Sequence, residues 1–219
     1  MRRRSDTNSV VRPTQRTYLP ASERRSEIVQ AAIELISREG LAAATTRKIA
    51  NEAGVSLSTL HYSFGSKDAL VGAVIEAITA EIGTVARSGV TTDAGLAATI
   101  EGAVKAFWSL VEETPGLQTM QYELTIGALR AGEHELARSQ YAAYVAVAED
   151  LFATAAEEAG EQPAIPVHEL ARFVVAGLDG LILQHLSHPD LRRSRRQVQL
   201  LARSAIDLAG VAERSPTDG

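Results

Sequence analysis

Hydroxyl and cationic side chains crowd one stretch of the chain, residues 45–70, which reads TTRKIANEAGVSLSTLHYSFGSKDAL. Groups of these types bind phosphate oxygens and hydrogen-bond to the edges of bases. An apolar side chain among them, Leu57, is suited to contact a thymine methyl group. The candidates for this chemistry are Thr46, Arg47, Leu57, Ser58, Thr59, His61, Tyr62 and Lys67.

Two short helices must hold these side chains. Thr45 is a suitable N-cap for a helix over about 46–52, and Ser56 for a helix that runs to about Ser63. Between them Gly54 stands where the chain must turn sharply, a position that favours positive φ. The apolar residues that would close the pair are Ile49, Ala50, Ala53, Val55 and Leu60. The pattern predicts a helix-turn-helix, whose second helix offers its N-terminal residues to the DNA major groove.

Residues 23–70 resemble the DNA-binding domain of TetR-family transcriptional regulators. The matching pieces are Gly40, Thr45-Thr46-Arg47, Ile49-Ala50, Ala53-Gly54-Val55-Ser56, Thr59-Leu60, Phe64 and Ser66-Lys67-x-x-Leu70. The resemblance implies phosphate contacts from Thr46, Thr59, Tyr62 and Lys67, and base contacts from Arg47, Leu57 and Ser58. Two positions depart from the family pattern: His61 replaces a usual Tyr, and Ser63 replaces a usual aromatic residue or His. His61 could still bind a phosphate, more strongly when protonated.

The rest of the chain also follows helical periodicity. A first helix after Pro20, with Ser22 as its N-cap, carries an apolar stripe and ends at Gly40. A fourth helix follows Ser66, which is its predicted N-cap. Five more helices are expected near 93–113, 117–130, 133–159, 167–187 and 191–212. No alternation typical of strands occurs between turns. The prediction is therefore an all-α fold of about nine helices.

Charge is distributed unevenly along the chain. The 219 residues carry a net charge of −5, but residues 1–70 sum to +4 and residues 71–219 to −9. The positive excess lies in residues 1–20, since residues 21–70 sum to zero. We expect a flexible basic arm over 1–20, a DNA-binding domain over 21–66, a ligand-binding and dimerisation domain over 67–213, and a tail over 214–219. The arm is either a solvated tail or a DNA-contacting segment through Arg2, Arg3, Arg4, Arg12 and Arg16.

The last two predicted helices indicate self-association. Residues 167–187 are apolar nearly all round, which is typical of a helix buried on more than one side. Gly177 and Gly180 would allow a close helix approach. In the last helix Val198, Leu201, Ala205 and Leu208 recur with the spacing of a helix seam. We therefore expect a homodimer that pairs these two helices with their copies, as the family resemblance also implies.

Aromatic residues mark a candidate small-molecule pocket. Seven of the ten Phe, Tyr and Trp residues lie within 107–173, and aromatic rings around a few polar groups suit a pocket. The family resemblance places an effector pocket in this region, although any single one of these residues is more often plain core. The candidate ligand-binding residues are Phe107, Trp108, Met120, Glu123, Tyr141, Tyr144 and Phe173. Asp179, inside an apolar stretch, is expected to be a paired core residue.

Several function classes find no support in the sequence. There is no cysteine, and no GxGxxG, GxxxxGK[ST], HExxH or GxSxG pattern. His185 and His188 have metal-ligand spacing but no third ligand, so we expect both to be solvated, and we expect no metal and no cofactor. No uninterrupted apolar run reaches membrane-spanning length, and no secretory signal is evident, so we expect a cytoplasmic protein.

These observations favour a regulator, most simply a repressor that binds a near-palindromic operator as a dimer and is released by a small molecule. Two alternatives remain open. One is an all-α small-molecule-binding or enzymatic bundle in which the helix-turn-helix is only packing. The other is a DNA-binding regulator that activates transcription, or one that does not respond to a ligand.

Overall fold

The computed structural model describes residues 20–90 and 92–211, and within them the chain forms nine α-helices and no strand. The helices are α1 (Ala21–Glu39), α2 (Thr46–Glu52), α3 (Leu57–Phe64), α4 (Lys67–Ser88), α5 (Leu96–Glu113), α6 (Pro115–Ala131), α7 (His134–Ala159), α8 (Val167–Ser187) and α9 (Leu191–Ala209). A short 3-10 turn, Thr92–Ala94, precedes α5. The all-α prediction is confirmed. The basic arm and the tail lie outside the described residues.

Side-chain caps fix three of the helix starts as the sequence predicted. The hydroxyls of Thr45, Ser56 and Ser66 accept hydrogen bonds from the third backbone N–H of α2, α3 and α4, at 3.1–3.3 Å. The prediction for α1 was wrong. Its first residue follows Pro20 directly, no side chain caps it, and Ser22 lies within the helix, where its carbonyl accepts the hydroxyl of Ser26.

The N-terminal helices share one apolar core. α1, α2, α3 and the first half of α4 meet around fully buried Ile28, Leu60 and Leu70. α6 also enters this core through Leu117, Met120 and Leu124. The core therefore extends beyond residue 66 and ties α6 to the helix-turn-helix.

The second core is formed by α5, α7, α8 and α9 around fully buried Ile100, Phe152, Leu170 and Ala205. Gly177 of α8 permits a close approach within the subunit, since a Cβ there would lie 2.4 Å from a methyl carbon of Leu201 on α9. Of the two glycines expected to allow a close helix approach, Gly177 does so inside one subunit, whereas a Cβ at Gly180 would have no heavy atom within 4 Å.

An exposed apolar stripe runs along the outer side of α8 and α9. On α8 it comprises Phe173, Ala176, Gly180 and Leu183, and on α9 Leu200, Ser204 and Leu208. The seam predicted for α9 was partly wrong. Val198 and Ala205 are 5% and 0% exposed and belong to the subunit's own core, because the helix presents two apolar faces and the sequence pattern selected residues from both.

Two helices, α4 and α8, have the length and composition of a membrane span. The sequence predicted no apolar run of membrane-spanning length, because polar residues and glycines interrupt both segments. α4 packs its apolar side into the first core through Val74 and Ile78, and helices at the centre of helical bundles share this composition. Neither helix indicates a membrane protein.

Candidate nucleic-acid interface and internal cavity

The turn between α2 and α3 has the backbone geometry that the sequence predicted. Gly54 adopts φ +63°, in the left-handed region. The N–H of Val55 donates to the carbonyl of Ala50 at 2.9 Å, which closes the end of α2. Buried Leu60 and Phe64 then fix α3 against the first core. α3 is held rigidly while its other side faces solvent.

That outer side carries the side chains proposed to contact DNA. Tyr62 is 91% exposed, and Arg47, Ser58, His61 and Lys67 are exposed as well. Thr46, Leu57 and Thr59 are half-buried. Leu57, the first residue of α3, is therefore only partly exposed, but its side chain still reaches the surface.

Three hydroxyls form a compact group at the start of α3. The Ser56 oxygen lies 2.8 Å from that of Ser58 and 2.7 Å from that of Thr59. The Ser56 hydroxyl also accepts the N–H of Thr59, so its hydrogen-bonding capacity is used. The hydroxyls of Ser58 and Thr59 keep free lone pairs and can still bind a base edge or a phosphate. Ser63 differs, because its hydroxyl donates to the carbonyl of Thr59 at 2.9 Å within its own helix. That bond accounts for the absence of an outward polar role at this position.

Ion pairs determine which cations of this neutral segment are free. The ammonium nitrogen of Lys48 lies 2.9 Å from a carboxylate oxygen of Glu39, and a guanidinium nitrogen of Arg38 lies 3.1 Å from a carboxylate oxygen of Glu52. The hydrogen bond from Lys48 lowers the pKa of Glu39. No ion pair within the described residues involves Arg47 or Lys67. The charges of Glu39 and Glu52 are thus partly neutralised by ion pairs, while Arg47 and Lys67 remain available on the exposed side.

A second feature lies between the later helices. An internal cavity opens among α4, α5, α6, α7 and α8, with about 830 Å³ of space between its lining atoms, part of it open to solvent. Apolar side chains such as Val104, Phe107 and Phe152 form most of the lining. A largely apolar cavity with a few polar groups is the usual form of a small-molecule site.

One wall of the cavity carries a carboxylate held by two tyrosines. The hydroxyl of Tyr122 donates to one carboxylate oxygen of Asp179 at 3.0 Å, and that of Tyr141 to the other at 3.1 Å. Tyr122 also contacts the backbone oxygen of Asp179 at 2.8 Å. Asp179 is therefore paired, as the sequence analysis expected, but it lines the cavity rather than a closed core.

A chain of amides and hydroxyls forms the adjoining wall. Gln140 donates to the hydroxyl of Tyr144 at 2.8 Å and accepts the hydroxyl of Thr125 at 2.9 Å. Tyr144 donates in turn to Gln121, whose amide donates to Gln118 at 3.1 Å. Buried polar groups that are mutually bonded in this way hold α6 and α7 in one register.

Burial sets the protonation of the cavity tyrosines. It raises the pKa of Tyr141 and of Tyr144 to about 12, and the negative charge of Asp179 adds to this effect. The pKa of Tyr122 is raised further, again mainly by burial and then by Asp179. These hydroxyls remain hydrogen-bond donors at neutral pH.

The raised pKa values predict a loss of stability in alkali. The folded protein holds these phenolic protons more tightly than the unfolded chain, where the pKa is about 10. Their contribution is fully present below pH 10 and is lost as the pH rises to about 12. The free energy of unfolding, measured by urea titration, should decline across this window and decline less steeply in Tyr141→Phe. An equal slope in both proteins would contradict this assignment.

Three of the predicted ligand residues line the cavity: Phe107, Tyr141 and Tyr144. Trp108 and Met120 do not, and the structure places both in the protein core. Trp108 is 3% exposed and donates its ring N–H to Glu112 at 2.8 Å. Met120 is 1% exposed in the first core, where its sulfur lies 3.6 Å from the hydroxyl of Ser37. The apolar character that suggested a pocket reflects packing.

Glu123 and Phe173 also lie away from the cavity. Glu123 points from α6 to the loop after α1, where its carboxylate accepts the N–H of Leu41 at 2.7 Å. Its neighbour Tyr122 faces the cavity, because successive residues of a helix point about 100° apart. Phe173 is 39% exposed on the outer stripe of α8.

The polar residues of the cavity were mostly missed by the sequence analysis. Gln118, Gln121, Thr125 and Gln140 look like ordinary surface residues of amphipathic helices, and only their shared face on α6 and α7 brings them inward. Their spacing on α6 offered a signal, since 118, 121, 122 and 125 recur at helical intervals on one side.

His185 and His188 differ in their surroundings, since His188 is exposed. His185 is buried, with its Nδ1 atom 2.9 Å from the Ser194 hydroxyl and its ring edge-on to Trp108. It is therefore a core residue rather than the solvated one that the sequence suggested. Across residues 20–90 and 92–211, no three His, Asp or Glu side chains are grouped to hold a metal ion.

Comparisons with known proteins agree with this geometry. Residues 28–74 match the model of "Bacterial regulatory proteins, tetR family". The chain is 27% identical over 190 residues to the HTH-type nicotine-responsive transcriptional repressor HdnoR of Paenarthrobacter nicotinovorans, covering 86% of this chain and 97% of that one.

Solved structures share the fold. The multidrug binding protein EbrR, complexed with imidazole, has a TM-score of 0.66 at 24% identity, with 89% of this chain and 98% of that chain covered. A putative TetR-family transcriptional regulator from Rhodococcus sp. has a TM-score of 0.69 at 20% identity, with 86% and 98% covered. At these identities the likeness establishes the fold alone.

Proposed function

We propose that this chain, which belongs to the tetR family of bacterial regulatory proteins, is a cytoplasmic repressor. As a member of that family it is a ligand-responsive DNA-binding transcriptional regulator rather than an enzyme. It binds a near-palindromic operator as a homodimer and leaves it when a small molecule fills the cavity. The observation that carries the proposal is a rigidly anchored α3 with an outward polar face, in the same subunit as an internal cavity. HdnoR, a nicotine-responsive repressor, offers a parallel over nearly its whole length.

The proposed contacts with DNA follow from exposure and charge. The start of α3 enters the major groove, with Leu57, Ser58 and Arg47 at base edges. Thr46, Thr59, His61, Tyr62 and Lys67 bind phosphates. These groups fix the position of the helix, while the three base-facing residues supply sequence preference.

The proposed dimer uses the apolar stripe of α8 and α9. Four large side chains there, Phe173, Leu183, Leu200 and Leu208, are 39–54% exposed. Gly180 has no heavy atom within 4 Å of the position of a Cβ, so a partner helix can approach closely. Paired four-helix interfaces of this kind place two copies of α3 on one side of the dimer, as a palindrome requires.

Two helices offer a route from the cavity to α3. α4 contributes Leu70 to the first core and Ile82 to the cavity lining. α6 lines the cavity with Tyr122 while Glu123 holds the N–H of Leu41, just before the helix-turn-helix. A ligand that favours one position of these helices would change the separation of the two α3 helices, with a coupling of about 1–3 kcal/mol.

Selection of bound sequences from random DNA tests the proposal. The full chain should enrich an inverted repeat whose half-sites are centred about 10 base pairs apart, or a multiple of that distance. Binding should weaken steeply as salt rises. Enrichment of no sequence, with the chain folded, would mean that the helix-turn-helix serves only as packing.

A further inference from the structure

We propose that the cavity takes an organic cation, a small aromatic or apolar amine whose ammonium group pairs with the carboxylate of Asp179. This inference specifies the ligand class of the proposed function and rests on it for its regulatory meaning. The binding step itself rests only on the residues that line the cavity.

The charge of the lining is one-sided. Among the side chains that line the cavity, Asp179 is the one carboxylate, and none is a lysine, arginine or histidine. The remaining titratable groups are the three tyrosines. They are neutral at pH 7, since the ordinary pKa of a phenol is about 10 and burial raises the pKa of each of them. A bound anion would meet a like charge with no cation to offset it, whereas a bound cation would complete the site.

The hydrogen bonds around Asp179 leave room for a further donor. Each carboxylate oxygen accepts one tyrosine hydroxyl, at 3.0 and 3.1 Å. A carboxylate has about four acceptor positions, so neutral phenols satisfy part of its capacity and none of its charge. No ion pair to Asp179 exists within the described part of the chain. Asp179 is partly buried. A charge withdrawn from water without a counter-ion is costly, and an ammonium donor relieves that cost.

The aromatic rings beside the carboxylate extend the same preference. Tyr122 and Tyr141 bond directly to Asp179, while Phe107, Tyr144 and Phe152 line the same space. Aromatic faces attract cations and also cover the apolar body of an amine. A carboxylate flanked by tyrosines thus discriminates both by charge and by shape.

Fixed tyrosine donors also make this site specific for one orientation of the ligand. Because both hydroxyls already point at Asp179, the carboxylate is positioned before the ligand enters. Tyr141 and Tyr144 lie edge to face, with their ring centres 6.0 Å apart, so the aromatic wall beside it is positioned as well. A ligand loses little free energy in ordering such a site.

Three probes test the proposal: 4-phenylbutylamine, 4-phenylbutan-1-ol and 4-phenylbutyrate. They share a phenyl ring on a four-carbon chain and differ in the head group, which is an ammonium, a hydroxyl and a carboxylate. Calorimetric titration at pH 7 should show the amine binding at least about tenfold more tightly than the alcohol, which corresponds to roughly one charge-assisted hydrogen bond. The acid should bind more weakly than either. Equal binding of amine and alcohol, or no binding of the amine up to its solubility, would overturn the proposal.

Asp179→Asn provides the decisive variant, since it removes the charge and keeps the size and one acceptor oxygen. The preference for amine over alcohol should fall from at least about tenfold to near unity. Asp150→Asn, at an exposed acid that pairs with Arg87 at 2.9 Å, is the matched control and should retain the preference. A preference that survives in Asp179→Asn, with the variant folded by circular dichroism, would place the ammonium elsewhere.

A DNA measurement separates this inference from the proposed function. In the wild-type protein the amine should release the selected DNA at concentrations at which the alcohol does not. Release by both probes alike would support the proposed repressor function and contradict the cation site. Amine binding that depends on Asp179, in a chain that selects no DNA, would support the cation site and reject the proposed function.

Discussion

Replacing both Phe173 and Leu183 with aspartate should separate the proposed dimer and remove specific operator binding with it. The two side chains are 39% and 54% exposed on the outer stripe of α8. In a dimer each carboxylate would be buried without a partner, which costs several kcal/mol in total. A monomer engages one half-site at a time, so the affinity for a full operator should fall by about 10²–10⁴.

Analytical ultracentrifugation and a fluorescence anisotropy titration on the selected DNA check the two halves of this prediction. Leu129→Asp is the matched control, because Leu129 on α6 is 43% exposed and lies outside the stripe. It should stay dimeric and keep its affinity. A Phe173→Asp/Leu183→Asp protein that sediments as a dimer would show that subunits meet through another surface.

Removing the two free cations of the helix-turn-helix should have the next largest effect. The Arg47→Ala/Lys67→Ala variant loses two cations per subunit, and so four per dimer. Lys67 is proposed to neutralise one phosphate per subunit, and so two per dimer. The slope of log K against log salt concentration should therefore become less steep by roughly 1.8, and this loss alone should lower the affinity on the order of 10²-fold at about 0.1 M salt. Loss of the Arg47 base contact should lower it by a further amount of about 1–3 kcal/mol per subunit.

The salt dependence makes this result specific. Lys105→Ala/Arg130→Ala removes the same charge from exposed positions on α5 and α6, and should leave the slope nearly unchanged. An unaltered slope in Arg47→Ala/Lys67→Ala would mean that Lys67 does not touch a phosphate. The variants should not differ in stability, since neither Arg47 nor Lys67 forms an ion pair in the described structure.

Local signals in the sequence predicted the helix-turn-helix closely. A hydroxyl at Thr45, Ser56 or Ser66 satisfies a backbone N–H in its own turn, and Gly54 takes the positive φ that its turn requires. Such interactions span three or four residues, so a single sequence contains them. Ser22 shows the limit of this reasoning, because α1 begins at Ala21, two residues earlier than a helix capped by Ser22 would, and the hydroxyl is not used as a cap.

Contacts between distant helices could not be predicted in the same way. Glu123 is bonded to the N–H of Leu41, 82 residues away, and Asp179 to tyrosines 57 and 38 residues away. A sequence pattern shows which face of a helix is apolar, but not which helix it meets. For the same reason Val198 and Ala205 were assigned to a subunit interface, although they pack inside their own subunit.

DNA cleavage from a single tethered site on α3 tests the central claim most directly. The chain has no cysteine, so Tyr62→Cys gives one attachment point per subunit for an iron chelate, at a position that is 91% exposed. On the selected DNA we expect two clusters of cuts about 10 base pairs apart, or a multiple of that distance, and none when the chelate is attached at Lys105→Cys. Weak, uniform cutting from both positions, on DNA that the labelled proteins still bind, would show that α3 does not enter the groove.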